Sequence, residues 1–402
     1  MELKAIRDAQ ERLKPVLNKY STLERQAYFS DIAGGEVYLK FENRQKTGSF
    51  KVRGAYNKIS KMASEGSLTS VVAASAGNHA QGVAFGAREN GVTATIVMPK
   101  STPLVKVLAT EGYGAEVVLH GDFFDDARDH ALELAKQTGA TFLEPFNDLD
   151  VIAGQGTLGI EIIEELENVD IIVVPCGGGG LLAGIAVAVK SINPKVKVIG
   201  VQAEKADAMV KSFQNGKITN LGKIKTIADG IAVKKPGDIA FNLIQKYVDD
   251  MVTVCDDEIA STILELMERT KQIVEPAGAA SLTAVIHGKI DAKGKTCACI
   301  LSGGNVDIGM IHKIIERGLT KRERKVSLSI LLQDIPGTLE KVASCFSRAN
   351  ANITRTMYDS NTCGMEMGEL VIHVSCDVSG SEHKNRIVNE LEENGFKVIG
   401  GK

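Results

Sequence analysis

The sequence lacks the short motifs that bind metals or build disulfide frameworks. It has no C-x-x-C pair and no HxxxH or HxH pair, and its cysteine count is odd. Scattered thiols of this kind are typical of reduced cytoplasmic proteins, so we expect a cytoplasmic protein with no metal site. The seven cysteines are Cys176, Cys255, Cys297, Cys299, Cys345, Cys363 and Cys376.

The sequence also lacks a charge excess of one sign and a segment suited to crossing a membrane. The net charge is −3 and the isoelectric point about 6.2, which argues against a nucleic-acid partner and against an anionic membrane surface. The first 17 residues are amphipathic and have no signal-peptide core. The uncharged run 171–189 contains Pro175 and five glycines, which favours a strand, a turn and a buried helix over a spanning helix.

What the sequence does contain is a long alternation of strand-like and helix-like segments between residues 36 and 315. The strand-like segments are short and continuously apolar, as in "DIIVVP" and "TCACILS". Such strands, alternating with helices, predict an α/β fold with parallel sheets covered on both faces. In doubly wound folds of this class, ligands bind where the strands end.

A different pattern follows the charged run "ERGLTKRERK" at 316–325, which is typical of a linker. Residues 326–402 then show the order strand, helix, strand, strand, helix, strand. This βαββαβ order predicts a small ferredoxin-like α+β unit.

Four consecutive glycines, Gly177, Gly178, Gly179 and Gly180, stand between a predicted strand and a predicted helix. Glycines let backbone N–H groups face a ligand, and a helix amino terminus favours an anion. The sequence therefore predicts a phosphate cradle here. A tight turn without a ligand is the alternative, although four glycines cost conformational entropy and add no packing. The nucleotide-binding pattern GxxxxGKS/T is absent.

Two further loops follow predicted strands. "SAGNHAQG" begins at Ser75, and its small residues leave backbone N–H groups open to a carboxylate, with Asn78 and His79 as polar neighbours. "LSGGN" ends at Asn305 and offers the Ser302 hydroxyl to a ligand. A capped helix start and a simple turn explain the two loops equally well.

Lys51 lies in "KTGSFKVRGA", between Phe50 and Val52, at the start of a predicted helix. Burial and the helix dipole both disfavour a charged amine at such a position, which suits a nucleophile. Most lysines are instead solvated surface charges. A shielded amine, a phosphate cradle and a carboxylate loop together meet the needs of pyridoxal phosphate acting on an amino acid.

Six motifs resemble those of the threonine ammonia-lyases (threonine dehydratases), which have the type II fold of pyridoxal phosphate enzymes. They are "KFENRQKTGSFKVRGA", "SAGNHAQGVA", "PCGGGGLLAGIA", "IADGIAV", "VEPAGAASLTA" and "LSGGN". The resemblance implies a catalytic domain, 1–318, of two doubly wound subdomains like those of tryptophan synthase β, the small one at about 52–148 inserted in the large one. Residues 319–325 would be the linker. "LQDIPGTLEKV" is similar to the start of an ACT domain, so 326–402 would be a regulatory module that binds small amino acids.

The resemblance also implies roles for the matching residues. Lys51 would hold pyridoxal phosphate covalently and then move protons. The other cofactor contacts would come from Phe50, Asn78, Gly177, Gly178, Gly179, Gly180, Leu181, Gly230, Glu275 and Ser302. The substrate carboxylate would be held by Ser75, Ala76, Gly77, Asn78 and His79.

Three positions bear on the type of reaction. A neutral Ser302 hydroxyl leaves the ring nitrogen largely unprotonated, which favours prompt loss of a β-substituent. Ala76 replaces a serine of the similar serine racemases and has no proton to transfer, so racemisation should be weak or absent. Gln202 and Ala208 stand where the racemases carry metal-binding carboxylates. We therefore expect elimination of water from L-threonine, and also from L-serine, without a divalent metal.

The C-terminal unit is expected to sense an amino acid. Asp334, Pro336 and Gly337 precede a predicted helix whose start suits an effector carboxylate. The resemblance implies isoleucine or valine as effector, a homo-oligomer (dimer or tetramer) and a place in isoleucine biosynthesis; pairing of subunits without a ligand is the alternative. For the whole chain, a serine-preferring dehydratase and a non-catalytic amino-acid sensor stay open.

Overall fold

The computed structural model describes residues 1–18, 22–66, 68–359 and 366–401. They form two compact units, 1–306 and 307–402. The strands are β1 (Leu23–Arg25), β2 (Glu36–Phe41), β3 (Ser70–Ala74), β4 (Thr93–Met98), β5 (Glu116–Leu119), β6 (Thr141–Phe142), β7 (Ile171–Pro175), β8 (Lys197–Ala203), β9 (Asp250–Val254), β10 (Thr296–Leu301), β11 (Lys325–Gln333), β12 (Asn352–Asp359), β13 (Glu369–Asp377) and β14 (Lys397–Gly401). The helices are α1 (Leu3–Leu13), α2 (Ala27–Ala33), α3 (Lys51–Ser64), α4 (Asn78–Glu89), α5 (Leu104–Glu111), α6 (Phe124–Thr138), α7 (Leu149–Glu165), α8 (Gly180–Ile192), α9 (Ala208–Asn215), α10 (Asp238–Tyr247), α11 (Asp256–Thr270), α12 (Pro276–Ile286), α13 (Ile308–Lys321), α14 (Thr338–Arg348) and α15 (Ser381–Glu393).

The larger sheet of the first unit has six strands in the order β1-β2-β10-β7-β8-β9. Neighbouring strands are parallel except β1 and β2. Every residue of the central strand β7 is buried, and both α8 and α12 pack on it. The continuous apolar runs of the sequence thus correspond to strands covered on both faces.

The smaller sheet of the first unit has four parallel strands in the order β5-β4-β3-β6. Strand β3 shows how its two faces are used. Val71 and Ala73 belong to one apolar cluster, whereas Val72 and Ala74 belong to another. Since side chains alternate along a strand, the two clusters cover opposite faces of this sheet.

The predicted α/β fold of doubly wound subdomains is confirmed. The strand-like segments of this region, such as "DIIVVP" and "TCACILS", form strands. Strands β1 and β6 are not predicted from the sequence, because two or three residues are too few to show a period. Cys297 and Cys299 lie buried in β10, as expected for strand residues. Cys363 lies outside the described residues.

The second unit has the predicted βαββαβ order, from β11 through α14, β12, β13 and α15 to β14. Its sheet is antiparallel, in the order β12-β13-β11-β14. Both helices contribute to one core, with Phe346 of α14 and Ile387 of α15 fully buried in it. This is the ferredoxin-like arrangement.

The segment predicted as a linker is only partly irregular. Helix α13 continues to Lys321, so residues 319–321 are helical, and β11 already begins at Lys325. Residues 319–321 and Lys325 thus have regular secondary structure, and the role of 319–325 as a linker stays a prediction. The charged side chains that suggested a loop are also compatible with the exposed face of a helix, which short sequence windows do not distinguish.

An ion-pair cluster fixes the start of α3. The Arg53 guanidinium is buried and makes bidentate hydrogen bonds to Glu42, which follows β2, and to Glu161 of α7. Burial by itself lowers the pKa of Arg53, but the two carboxylates outweigh it and raise the pKa above its usual value. Arg53 lies one helical half-turn beyond Lys51, so this cluster sets the position of that turn.

Candidate active site

The glycine turn, 177–180, follows β7 and leads into α8, and its backbone donors are free. Among the described residues, no protein atom accepts a hydrogen bond from the N–H groups of 177–181. Gly178, Gly179, Gly180 and Leu181 are nevertheless buried. Buried N–H groups are almost always paired. A row of unpaired ones at a helix amino terminus therefore fits an anionic ligand such as a phosphate.

Glycine is required at this turn because other chain segments approach it closely. A Cβ atom on Gly178 would lie 2.4 Å from the Phe146 ring, and one on Gly180 would lie 2.8 Å from the Phe146 carbonyl oxygen. Gly179 has φ of 104°, in the left-handed region. The carbonyl oxygen of Gly177 accepts a hydrogen bond of 3.4 Å from the Gln202 side-chain amide.

Lys51 begins α3, and its amine lies inside the first unit. The Nζ atom donates to the Pro145 carbonyl oxygen at 2.9 Å and lies 5.3 Å from the centre of the Phe50 ring. Burial lowers the pKa of Lys51 to about 8, with a smaller opposing effect of Glu275. With this pKa, roughly a tenth of the amine is uncharged at pH 7, far more than for a solvated lysine, and the uncharged form is the one that a nucleophile or a base requires.

Glu275 is a buried ionisable group of this site. Its carboxyl accepts a hydrogen bond of 2.7 Å from Asn78 Nδ2. Burial is the main cause that raises the pKa of Glu275 to about 8, and the nearby Asp229 raises it further. A Cβ atom on Gly230 would lie 3.6 Å from Glu275 Oε1, so Gly230 borders this carboxyl. Glu275 is therefore largely a neutral hydrogen-bonding group at neutral pH.

The loop 75–79 follows β3 and leaves backbone donors unpaired. Gly77 N–H donates to Ser75 Oγ at 3.2 Å. In the described chain the N–H groups of Ala76, Asn78 and His79 have no protein acceptor. The His79 ring is buried against the Leu143 carbonyl oxygen at 3.1 Å, and burial lowers its pKa to about 3. His79 thus offers this loop its backbone N–H, while its neutral ring serves packing.

Ser302 follows β10 and is 2% exposed. Its carbonyl oxygen accepts from Phe50 N–H at 3.0 Å. The carbonyl oxygen of Gly303, the residue after Ser302, accepts a hydrogen bond of 3.0 Å from Glu275 N–H. The turn after β10 therefore connects the segments that carry Lys51 and Glu275.

The site is assembled at the carboxyl ends of strands from both sheets. The loops after β3, β7 and β10 and the segment between β2 and α3 carry most of the predicted cofactor and substrate residues of the first unit. Gly230 lies instead between α9 and α10, and Glu275 directly precedes α12. A nucleophilic amine, a buried row of anion-binding N–H groups and a neutral hydroxyl form a donor set that fits pyridoxal phosphate. The predicted effector residues Asp334, Pro336 and Gly337 belong to the second unit, where they are exposed before α14.

Three residues that contribute to the site are not predicted from the sequence. Pro145 and Phe146 lie in the loop after β6, where they contact Lys51 and the glycine turn. Asn305, the last residue of "LSGGN", donates to Asn78 Oδ1 at 2.7 Å. Nothing in the sequence near β6 indicates that the following loop lies beside Lys51 and the glycine turn. The polar residue that ends "LSGGN", by contrast, could have been predicted to contribute to the site.

Metal-binding clusters and membrane-spanning helices are absent from the residues that the structure describes. No group of three or more histidine, cysteine, aspartate or glutamate side chains in them is placed to hold a metal ion. No helix among them is long and apolar enough to cross a membrane.

Comparison with known proteins shows the family of this chain. The model of the family described as "Pyridoxal-phosphate dependent enzyme" matches residues 18–303. The chain therefore belongs to the pyridoxal-phosphate dependent enzymes.

Within that family, the chain is similar to lyases over almost its whole length. It is 46% identical to the L-threonine ammonia-lyase of Thermotoga maritima over 396 residues, which are 98% of each chain. A structure of processed threonine deaminase isoform 2 from Solanum lycopersicum is 39% identical, with a TM-score of 0.74, over 78% of this chain and 87% of that one. Maize serine racemase is 33% identical, with a TM-score of 0.74, over 80% of this chain and 98% of the racemase.

Proposed function

We propose that this enzyme deaminates L-threonine to 2-oxobutanoate and ammonia by elimination of water, and that it acts on L-serine in the same way. The observation that carries the proposal is the half-buried amine of Lys51, which donates to the Pro145 carbonyl oxygen and has a lowered pKa, in a chain 46% identical to an L-threonine ammonia-lyase over 98% of its length. Pyridoxal phosphate, when bound, acidifies the Cα–H bond of an attached amino acid and so makes loss of a β-substituent possible.

The residues of this chain supply positioning and proton transfer. Lys51 would hold the cofactor aldehyde and accept the Cα proton, since its pKa of about 8 suits a base near neutral pH. The N–H groups of 177–181 would hold the phosphate, with Phe50 and Ser302 beside the ring. The loop 75–79 would hold the substrate carboxylate. Loss of the β-hydroxyl with a proton as water gives 2-aminocrotonate, which hydrolyses to 2-oxobutanoate and ammonia.

An assay of 2-oxo acid products tests this proposal. The purified, cofactor-loaded enzyme should form 2-oxobutanoate from L-threonine and pyruvate from L-serine. Faster pyruvate formation at equal substrate concentration would favour the serine-preferring dehydratase. Absence of both products would leave the non-catalytic sensor as the better interpretation.

The maize racemase similarity makes racemisation the function to exclude, and Ala76 is the discriminating residue. We predict D-serine formation at no more than about a hundredth of the rate of pyruvate formation, because a positioned proton donor contributes about 10²–10⁴-fold and alanine has none. Ala76→Ser should raise D-serine formation, measured by chiral chromatography. Ala63→Ser, on the far part of α3, is the control and should leave it unchanged. Equal rates of D-serine and pyruvate formation in the unsubstituted enzyme would contradict the prediction.

We further propose that residues 326–402 are an ACT domain that responds to isoleucine or valine at the helix start beside Asp334, Pro336 and Gly337. Deleting 326–402 should keep basal turnover and abolish the response to both amino acids. The physical reason is that the apolar core of the second unit is built from residues of the deleted segment. Turnover measured with and without each amino acid checks this. Loss of all activity would instead indicate a structural role, such as pairing of subunits.

Assembly, location and pathway complete the proposal. We propose a cytoplasmic homo-oligomer, either a dimer or a tetramer, that acts in isoleucine biosynthesis. Light scattering of the full chain gives the oligomer size. A monomer under assay conditions would contradict the oligomer.

A further inference from the structure

The carboxamide of Asn305 connects three segments that are distant in sequence. Its Nδ2 atom donates to the Thr47 carbonyl oxygen at 2.8 Å and to Asn78 Oδ1 at 2.7 Å, and lies 3.4 Å from Gln81 Oε1. Thr47 precedes Lys51 by four residues, and Asn78 and Gln81 lie in the first turn of α4. One side chain after β10 thus contacts both the segment of the reactive amine and the loop proposed to bind substrate.

The turn that contains Thr47 is strained and depends on such contacts. Thr47 has a φ of 60°, a backbone conformation that β-branched residues rarely adopt. Its hydroxyl is buried without a partner among the described residues. The adjoining Gly48 has φ of 68°, and a Cβ atom there would lie 2.8 Å from Asn305 Oδ1. The Asn305 side chain therefore packs directly against this turn.

The same side chain decides how the Asn78 carboxamide is oriented. Because Asn305 donates to Asn78 Oδ1, the amide nitrogen of Asn78 is left to point the other way. There it donates to Glu275 Oε1 at 2.7 Å. An amide nitrogen carries two hydrogens, so one N–H of Asn78 remains for a ligand in the site.

We propose that Asn305 is a positioning residue for the cofactor. It fixes which end of the Asn78 carboxamide faces the ring, so that Asn78 donates a hydrogen bond rather than accepts one, and it holds the strained turn before Lys51. This inference rests on the proposed site to the extent that Asn78 faces the ring. An anionic ring oxygen needs a donor, and a reversed carboxamide would present an oxygen instead.

The test compares Asn305→Asp with Asn305→Ala. A carboxylate at 305 accepts hydrogen bonds only, so the Asn78 amide should turn towards it, whereas alanine leaves Asn78 free to adopt either orientation. For Asn305→Asp we expect the dissociation constant of pyridoxal phosphate to rise about tenfold, as for loss of one hydrogen bond to a charged group. The pH midpoint of the visible cofactor band should also rise, by about one unit. Asn305→Ala should show a smaller change of both quantities.

Asn90→Asp is the matched control, because Asn90 also donates its amide to a carbonyl oxygen, that of Gly86 at 2.8 Å, but at the far end of α4. It should leave the band and the affinity unchanged. If both Asn305 variants only lower the unfolding temperature and keep the original band midpoint and cofactor affinity, Asn305 has a structural role and the inference is wrong. If Asn305→Asp does not fold, an unchanged midpoint and affinity in Asn305→Ala overturns the inference in the same way.

One further variant separates this inference from the proposed function. If Asn78→Ala shifts the band midpoint and neither Asn305 variant does, the inference fails while the proposed function stands. If Asn305→Asp gives the expected shift but the unsubstituted enzyme forms no 2-oxo acid, the proposed function fails while the inference stands.

Discussion

Replacing Lys51 with alanine is expected to lower the turnover of L-threonine by about four orders of magnitude. The variant loses both the amine that would hold the cofactor and the base that would accept the Cα proton, and proton transfer alone is worth about 10²–10⁴-fold. The loss should appear in kcat, since the backbone donors proposed to bind phosphate and carboxylate are unchanged. Production of 2-oxobutanoate under saturating cofactor is the measurement.

Lys46 supplies the matched control for this experiment. It lies in the same "KTGSFK" segment but is exposed, so Lys46→Ala should keep the original rate. Borohydride reduction followed by peptide mapping provides a readout that does not depend on activity. The reduced adduct should map to Lys51 in the original protein and be absent from Lys51→Ala. An adduct on another lysine, or full turnover by the variant, would rule out the assignment of the reactive amine.

The second large effect is expected at the glycine turn. Gly178→Ala places a Cβ atom 2.4 Å from the Phe146 ring, so the turn has to move and its row of N–H groups loses its common direction. Each hydrogen bond to a charged group contributes about 1.5–3 kcal/mol. Loss of one or two should therefore raise the dissociation constant of pyridoxal phosphate about 100-fold or more. Absorbance titration of the apoenzyme measures this constant.

Two companion variants define the cause of that effect. Gly222→Ala should bind the cofactor normally, because no atom of the described residues lies within 4 Å of the added carbon. Combining Gly178→Ala with Phe146→Ala removes the clashing ring and should recover part of the affinity. If Gly178→Ala binds pyridoxal phosphate as tightly as the original protein, the turn is not the phosphate site.

Much of the fold can be predicted from the sequence, because the signal is local and repeated. In β7 and β10 every position is apolar or small, and such runs between helices define parallel strands. The second unit is equally accessible, since the apolar residues of β11 alternate and those of α14 follow a helical period. Strand β6 cannot be predicted in this way, since Thr141 and Phe142 form a strand only by pairing with β3.

The candidate site divides along the same line. Lys51, the glycine turn and Ser302 belong to motifs that stand at strand ends, so their convergence follows from the topology of parallel sheets. Phe146 contributes through the tertiary approach of one loop to another, which no nearby residue signals. The hydrogen bonds of Asn305 likewise depend on side-chain orientations that a linear pattern does not contain. Glu275 is intermediate, as its motif is visible but its raised pKa arises only from burial.

The carboxylates around Arg53 have a consequence for how this enzyme tolerates change. Glu42 and Glu161 each accept a bidentate pair of hydrogen bonds from the planar guanidinium. The ammonium group of a lysine does not reproduce this geometry. These hydrogen bonds therefore fix both the position of α3 and its rotation about the helix axis. We therefore expect substitutions in the loops that face Lys51 to be tolerated better than substitutions of Arg53, because Arg53 fixes the position from which the Lys51 side chain extends.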